Sequence, residues 1–495
     1  MSIRRCLILV WVVAALQVLS TGQDQPSQNS PVQSPSDDGT VRTAPAPALS
    51  AIAGIQGESG TEDTNNDLPR IPGLLGGRGT PPTFLHEMER SNYLRGGVNV
   101  SATYDDNPLL LSSGVVSNTS ESIFPNIGIQ ESSSRARWTL GYAGGLTVNQ
   151  NITSENNGSH NLNFDSQFRL SPHVNLRVAE NFSLTTGFFD AGNGTNVVAS
   201  SGGPNTSLIT PLATQRTSIT TAETNYHFAL YDLIGASGSF YDLHFTNIPA
   251  GAQLANSQTV SGSAFWLHRI FPGDWSGLSY IFDHITSNPG SDETHVHSFL
   301  AVNTLSLSKR FTLTGFVGPQ YTENQGLVCR PSLQPATGAL APCYSNTGTN
   351  ATQLTQSNGW SVSGGGEGGW QGERNSATAG YSRSVSDGGG LFLGAVHLQT
   401  VQGNFRRRLT PGWAATLTAS HGTNQAIFTT SATSINVTSA GILLERNVMK
   451  KVGLRLSYTH DFQEQFFPAP TPTLDANRNR FVITLSYQWA KPLGM

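Results

Sequence analysis

Apolar and polar side chains alternate along most of the chain from about residue 95 to its end. The clearest example is the segment 480–489, whose alternate apolar positions are Phe481, Ile483, Leu485, Tyr487 and Trp489. The same two-residue period recurs at 452–459 and 137–148. A two-residue period places alternate side chains on opposite faces of a sheet, so these segments are predicted to be strands with one apolar and one polar face.

About eighteen such segments follow one another, and the links between them alternate in length. After even-numbered segments the link is a tight turn, as at Ser171–Pro172. After most odd-numbered segments it is longer and rich in Ser, Thr, Asn and Gly, as at 188–213 and 324–354. This rhythm is typical of a transmembrane barrel, because a closed sheet satisfies every backbone hydrogen bond in lipid.

We therefore predict an all-β fold, a transmembrane antiparallel up-and-down β-barrel of about 18 strands, with 16 also compatible, over residues 95–495. A soluble secreted β-sandwich or propeller is the alternative. Those folds favour charged solvent faces and link lengths without a two-fold rhythm, and the sequence has neither feature.

The first residues have the order of a secretory signal. Arg4 and Arg5 precede an apolar run over 7–19, and the small residues Ser20 and Gly22 follow. The run is shorter than the ~20 residues that a membrane-spanning helix needs, which disfavours the alternative of an anchor. Residues 1–22 are predicted to be a cleaved signal peptide.

A segment of different composition separates this signal from the strands. Residues 23–82 are rich in Pro, Ser and Gln and hold few large apolar side chains, which predicts a disordered periplasmic linker. Residues 83–94 form a short pre-barrel segment that is compatible with one or two helical turns or with loose docking.

The composition fits a surface that faces lipid. Charged residues make up 12% of the chain, about half the ~25% usual in soluble proteins. The net charge is −4 and no basic stripe is visible, so a nucleic-acid partner is not expected. A charge on the lipid side of a strand is costly, and the basic residues accordingly collect near the short turns.

Cysteine usage points to one candidate disulfide. Cys6 belongs to the predicted signal, so Cys329 and Cys343, both in the link 324–354, are the only cysteines of the mature chain. An oxidising compartment would allow them to form a bridge, and two unlinked thiols are the alternative. The link itself could enter the lumen or project as a surface loop.

Motifs with chemical meaning are weak. Gly364, Gly366 and Gly369 match a dinucleotide-binding glycine pattern but open no helix. His295 and His297 would share one face of a strand. Two ligands do not make a metal site, so a solvated strand face is the favoured interpretation. The chain holds no recognisable nucleophile set, so no catalytic residue, cofactor or metal ligand is assigned, and we do not expect an enzyme.

The neighbouring acids Asp105 and Asp106 end the first predicted strand. Such a pair could bind a cation, although ending the strand in a turn is favoured.

Aromatic and charged positions give candidate contacts with lipid and lumen. Aromatic girdles at the two membrane interfaces are predicted to include Trp138, Trp275, Trp413, Tyr458, Tyr487 and Trp489. The predicted lumen is lined by Ser, Thr, Asn, Gln and Gly, with few charges, of which Arg137, Arg455 and Asp461 are candidates.

The opening and closing strands carry a resemblance. The segment Ala102-Thr103-Tyr104-Asp105-Asp106-Asn107 resembles the aromatic-Asp-Asn ending of the first strand in outer-membrane β-barrel proteins of the porin-2-like type, some of them associated with exopolysaccharide operons. The segment 478–489 is similar to their last strand. The resemblance implies a barrel, with a pore or an aid to polysaccharide export as its function. In contrast to the usual terminal aromatic residue of such barrels, residues 490–495 follow Trp489.

The leading functional hypothesis is a porin-like pore for diffusion or export of polar, mainly neutral solutes such as saccharides. The alternatives are a non-conducting surface or assembly protein, which could support exopolysaccharide export, and, ranked last, a barrel-embedded hydrolase. The expected location is the bacterial outer membrane, reached through the periplasm. The expected partners are outer-membrane lipid, the barrel-assembly machinery and small polar solutes or polysaccharide. The sequence leaves the oligomeric state open.

Overall fold

The computed structural model describes residues 92–111, 114–152, 157–187, 205, 208–210, 213–246, 248, 254–271, 273–288, 292–308, 310–329, 352–392, 394–427, 434–466 and 474–493. The predicted signal peptide, the predicted linker and residues 83–91 of the pre-barrel segment lie outside these ranges, and their assignments stay predictions. The first strand begins at Tyr93, so the end of the predicted pre-barrel segment belongs to the barrel wall.

Eighteen strands make up the regular structure of the described residues. They are β1 (Tyr93–Asp105), β2 (Asn118–Ser132), β3 (Ala136–Asn149), β4 (Asn157–Arg169), β5 (Val174–Gly187), β6 (Ala213–Ala229), β7 (Asp232–Thr246), β8 (Asn256–Phe271), β9 (Asp274–Asn288), β10 (Asp292–Ser308), β11 (Phe311–Cys329), β12 (Thr352–Gln371), β13 (Asn375–Ser386), β14 (Val396–Thr410), β15 (Trp413–Ala426), β16 (Ser434–Met449), β17 (Val452–Phe466) and β18 (Leu474–Pro492).

Each strand pairs antiparallel with the next, and β1 also pairs with β18, so the sheet closes on itself. The prediction of an all-β, closed antiparallel barrel is confirmed, with 18 strands rather than 16. Within the described ranges, the chain has no helix that is long and apolar enough to cross a membrane.

The predicted alternation of faces is visible in side-chain exposure. On the outer face, Leu278 is 60% exposed, Val317 56% and Phe299 52%. On the inner face, polar side chains such as Ser298 and Gln320 are covered, at 0% and 1%, beside apolar ones such as Leu300 at 2%. Large apolar side chains that stay exposed on most strands require an apolar medium outside the wall, which a lipid bilayer supplies.

A buried ion pair lies at the seam where the barrel closes. Asp105 at the end of β1 accepts a 2.9 Å hydrogen bond from Nε of Arg478 on β18, and both side chains are almost fully covered. Asp106 accepts hydrogen bonds from the backbone N–H and the side-chain amide of Asn479, each 2.6 Å. The side-chain amide of Asn107 donates to the carbonyl of Asn477 at 2.9 Å. Both acids therefore join the first strand to the last, a role that the prediction of a turn did not include.

The paired length between β12 and β13 is shorter than that between β11 and β12. β12 pairs with β11 from Thr352 to Trp370, but with β13 only from Gly364 to Gln371. The last link is a 3.1 Å hydrogen bond from the Ser363 hydroxyl to the carbonyl of Arg383. Beyond it, the end of β13 pairs only with β14 among the described strands, and Val385 packs with Ile285 of β9 and Val296 of β10.

Candidate functional site: the lumen

Several charges on the inner wall form ion pairs. Glu445 on β16 contacts Arg455 on β17 at 2.9 Å and Arg406 on β14 at 3.3 Å. Arg177 and Asp165 form a second pair on neighbouring strands, 2.5 Å apart. Opposite charges this close reduce each other's field, although the group of Glu445 with two arginines keeps one net positive charge.

All three predicted lumen charges lie on inward-facing positions of their strands. Arg455 is held by Glu445 as above, and Asp461 accepts a 2.6 Å hydrogen bond from the Ser439 hydroxyl. Arg137 shares the inward face of β3 with Thr139. The alternation of faces could not predict that Arg455 forms an ion pair with Glu445 on β16.

A segment of the β5–β6 link crosses the lumen. We call Asn205 and Leu208–Thr210 the crossing segment. The backbone N–H of Ile209 donates to Oε1 of Gln463 on β17 at 3.2 Å, and the Asn205 amide donates to Oδ1 of Asn424 on β15 at 2.7 Å.

The shorter route along the wall from β6 to β17 runs through β5, β4, β3, β2, β1 and β18. These seven inter-strand spacings amount to about 34 Å at ~4.8 Å each. Ile209 lies close in sequence to the start of β6 at Ala213 and contacts β17 directly. The contact is therefore made across the lumen rather than around the wall.

A second segment, from the β13–β14 link, meets the first inside the barrel. We call Asp387–Phe392 together with Gly394 and Ala395 the inner loop. Its Gly390 has a φ of +87°, and a Cβ there would lie 2.5 Å from the Phe245 ring of β7. Only glycine fits both this backbone conformation and this contact. The Gly390 carbonyl accepts a 2.8 Å hydrogen bond from the N–H of Ala255 just before β8.

The Asp387 carboxylate joins the two segments to the wall. It is fully buried and accepts 2.8 Å hydrogen bonds from the N–H of Asn205 and the hydroxyl of Ser257 on β8. The N–H of Gly389 donates to it at 3.2 Å. One side chain thus connects the crossing segment, the inner loop and β8.

Burial raises the pKa of the Asp387 carboxyl above its ordinary value, and the hydrogen bonds from Ser257, Asn205 and Gly389 only partly oppose this shift. The charged carboxylate is therefore less stable in the assembled lumen than in water.

Apolar side chains complete the contacts of the two segments. Leu208 and Ile209 pack with Phe392 of the inner loop and with Val396, Ile435 and Val437 of the wall. Leu391 contacts this cluster and also the cluster of Tyr241, Leu243 and Phe245 on β7. The inner loop is thereby wedged between two sides of the barrel.

A small cavity of about 110 Å³ lies where β12 parts from β13. Thr322 and Asn324 of β11, Trp360 of β12 and His397 of β14 are among its lining residues. Asn324 is 1% exposed, and neither its amide nitrogen nor its amide oxygen has a hydrogen-bond partner in the described structure. A buried amide with this geometry suits a small hydroxyl-bearing molecule or water.

Most of the predicted girdle residues face outward. Trp138, Trp413, Tyr487 and Trp489 lie near the short-turn end, with the guanidinium of Arg446 5.0 Å from the ring centre of Trp413. Tyr458 lies nearer the other end and donates a 2.8 Å hydrogen bond to Asn479.

Trp275 differs from the rest of the predicted girdle. It faces inward, is 3% exposed and packs with Leu233, Phe265 and Leu267 on the inner wall. It has no lipid-facing surface to contribute to a girdle. Proximity to a turn suggested the girdle position, but the parity of the strand decides the face.

The remaining sequence motifs fall as follows. Gly364, Gly366 and Gly369 lie within β12, and no helix follows them. Cys329 ends β11, whereas Cys343 lies outside the described residues, so the disulfide stays a prediction. His295 and His297 share the outer face of β10, where the register adds His284 of β9 directly opposite His295.

Sequence reasoning missed the crossing segment, the inner loop and the role of Asp387. These residues lie in long polar links, where local patterns carry no information about a partner 182 positions away. The one available signal is a cluster of apolar residues in each link, Leu208–Ile209 and Leu391–Phe392, that a solvated loop does not need.

Comparison with known proteins adds structural likeness only. No family model matches the chain, and no curated protein matches it. The open form of the ferric-catecholate import receptor Fiu from E. coli K12 has a TM-score of 0.42 and 10% identity, covering 81% of this chain and 82% of the receptor. The outer membrane protein OpdK of Pseudomonas aeruginosa has a TM-score of 0.38 and 11% identity over 80% of this chain and 99% of its own. OccAB4 of Acinetobacter baumannii has a TM-score of 0.41 and 8% identity, covering 81% of this chain and 98% of its own. At this level of similarity we draw nothing about activity from them.

Proposed function

We propose that the chain is an outer-membrane channel for small, mainly neutral polar solutes, with a lumen narrowed by the crossing segment and the inner loop. The observation that carries the proposal is a closed 18-strand barrel whose inner wall carries hydroxyl, amide and ion-paired side chains beside its apolar clusters. Barrels of this strand number enclose an aqueous lumen. The wall offers hydroxyl and amide groups along that lumen, which are suited to solutes such as saccharides.

The outer face supports the location. Its exposed Leu, Val and Phe side chains match a hydrocarbon layer, and the outward aromatic residues at the short-turn end match an interface. A signal peptide over 1–22 would direct the chain to the periplasm, where the barrel-assembly machinery would insert it. In this orientation the short turns are periplasmic, and the crossing segment and inner loop lie at the external end.

The Asp387 contacts favour a second candidate, a non-conducting barrel. If the crossing segment and inner loop never leave the lumen, the protein would serve as a surface or assembly component. Export of an exopolysaccharide, which the sequence resemblance implies, would need both segments to leave together, because a polymer requires a continuous path.

Single-channel recording in a planar bilayer tests the proposal. The full-length protein and a variant in which 205–210 is replaced by a short Gly-Ser linker are compared, after each shows the heat-modifiable migration of a folded barrel. We expect conductance steps from the natural protein and larger steps from the variant. Absence of conductance in both would overturn the channel. Conductance only in the variant would favour the non-conducting barrel.

Solute size is tested separately by swelling of proteoliposomes in sugars of increasing length. A channel narrowed by two segments should admit monosaccharides much faster than trisaccharides, and the variant should lose this discrimination. Equal rates for charged and neutral solutes of the same size would be consistent with a wall of paired charges. A strong preference for one ion sign would contradict it.

A further inference from the structure

Three potential metal ligands meet on the outer face of the β9–β10 hairpin. Strand register places His295 of β10 directly opposite His284 of β9, and Glu293 lies one outward position nearer the β9–β10 link. One ligand atom from each residue lies within 4.8 Å of the other two. We propose that His284, Glu293 and His295 form a binding site for a divalent transition-metal ion of the zinc class.

The separations between ligand atoms fit four-coordinate geometry. His284 Nδ1 lies 3.3 Å from His295 Nδ1 and 3.6 Å from Glu293 Oε1, and His295 Nε2 lies 3.3 Å from the same carboxylate oxygen. Ligands about 2.0–2.1 Å from a tetrahedral ion are separated from one another by about 3.3–3.4 Å. The two 3.3 Å separations involve different nitrogens of His295, so the imidazole rings must rotate before one nitrogen of each and a Glu293 oxygen can bind a shared ion. Each residue already offers one ligand atom within 4.8 Å of the other two.

The rings are already held in position by their neighbours. The two imidazoles stack with their ring centres 4.7 Å apart. Phe282 stacks on His295 with a distance of 6.1 Å between ring centres and an angle of 18° between ring planes. Each imidazole belongs to a residue of a hydrogen-bonded strand of the barrel, which fixes the position of its backbone. Preorganisation of this kind reduces the entropy lost when an ion binds.

The chemistry of the donors selects the ion. Two imidazole nitrogens and one carboxylate oxygen suit zinc, copper or nickel rather than calcium or magnesium, which prefer all-oxygen sites. The exposed fraction of the side chain is 28% for His284, 42% for Glu293 and 36% for His295, so a fourth coordination position of the ion is open to the outside. An oxygen from water, a carboxylate or a phosphate at the membrane surface could fill that position.

The site is independent of the proposed channel. All three residues face away from the lumen, so an ion bound there does not lie on a path through the barrel. Its direct effect is to tie β9 to β10 at the end of the hairpin.

Isothermal titration of the detergent-refolded protein with Zn²⁺ near pH 8 tests the proposal. We expect one ion per chain with micromolar or tighter affinity. We expect at least tenfold weaker binding in each of the variants His284→Asn, Glu293→Gln and His295→Asn. The matched control is His297→Asn, because His297 lies next along the outer face of β10 and bonds Tyr280 instead, at 2.9 Å. Its Zn²⁺ affinity should stay within twofold of the natural protein.

Co²⁺ provides a second measurement that depends on coordination geometry. The natural protein should develop the intense visible absorption of four-coordinate Co²⁺, and the three variants should not. Absence of Zn²⁺ binding by the natural protein, or equal binding by the three variants, would overturn the site. If a histidine variant fails to fold, the isosteric Glu293→Gln variant still decides the question.

Discussion

Removing the Asp387 carboxylate should release the two segments from the lumen. In the variant Asp387→Ala, the N–H of Asn205 and the hydroxyl of Ser257 each lose a 2.8 Å hydrogen bond to a charged acceptor, and the N–H of Gly389 loses a longer one. The barrel wall itself is untouched, because Asp387 follows the last residue of β13.

The magnitude follows from the two short bonds. A hydrogen bond to a charged group contributes about 1.5–3 kcal/mol, which gives about 3–6 kcal/mol for the two. Burial raises the pKa of Asp387, which shows that the charged form is incompletely compensated, so the lower end applies. About 3 kcal/mol corresponds to roughly a hundredfold increase in the ratio of released to assembled lumen, at ~1.4 kcal/mol per tenfold.

Single-channel recording measures this ratio as the fraction of time in the larger conductance level. The control is Glu373→Ala, which removes an exposed acid from a short turn at the opposite end. Its open fraction should match that of the natural protein. If Asp387→Ala is a folded barrel with the open fraction and conductance of the natural protein, then Asp387 does not hold the segments in the lumen.

Four further predictions concern pH, the seam, β12 and the cysteines. Burial in the assembled lumen raises the pKa of Asp387 above 3.8, so Asp387 binds a proton more tightly in the assembled lumen than in the released state. Loss of this proton therefore favours release, and the open fraction should rise as pH increases from about 4 through the raised pKa. A flat profile over that range would contradict this. Arg478→Met removes the buried cation that donates to Asp105 and should lower the free energy of unfolding by about 3–5 kcal/mol, measured by urea titration in lipid vesicles. Gly365→Ala would place a Cβ 2.5 Å from a backbone carbonyl and should cost about 1–3 kcal/mol in the same titration, and an unchanged midpoint would show that the strand yields. If Cys329 and Cys343 form a bridge, thiol titration of the unfolded, unreduced mature chain should find no free thiol, whereas two would exclude the bridge.

The contacts between β1 and β18 show which features the sequence could predict and which it could not. The ending Tyr104-Asp105-Asp106-Asn107 was interpretable as a turn, and its position on β1 was predicted correctly. That Asp105 pairs with Arg478 depends on the closure of the barrel, since 373 positions separate the two residues. No local pattern specifies which strand end an acid will meet.

The outward histidines show the same limit. Alternation predicted that His295 and His297 share a face. The same alternation places Glu293 on this face, two positions before His295. His284 is added by the register of β9 on β10, which depends on the whole hairpin, and only this register completes the group of three.

The sequence by itself determined the strand type, the alternation of faces and the rhythm of links, because a two-residue period and a tight turn are local properties that each segment carries independently. It left 16 strands compatible beside 18, and the closed sheet decided between them. The tertiary structure alone decided what lies in the lumen. Asn205 bonds Asp387 of another link, and Ile209 bonds Gln463 of β17, and only the closed wall brings each pair within hydrogen-bonding distance. Barrel closure converts distant polar links into neighbours, and for this reason the candidate site could not be predicted from the order of residues.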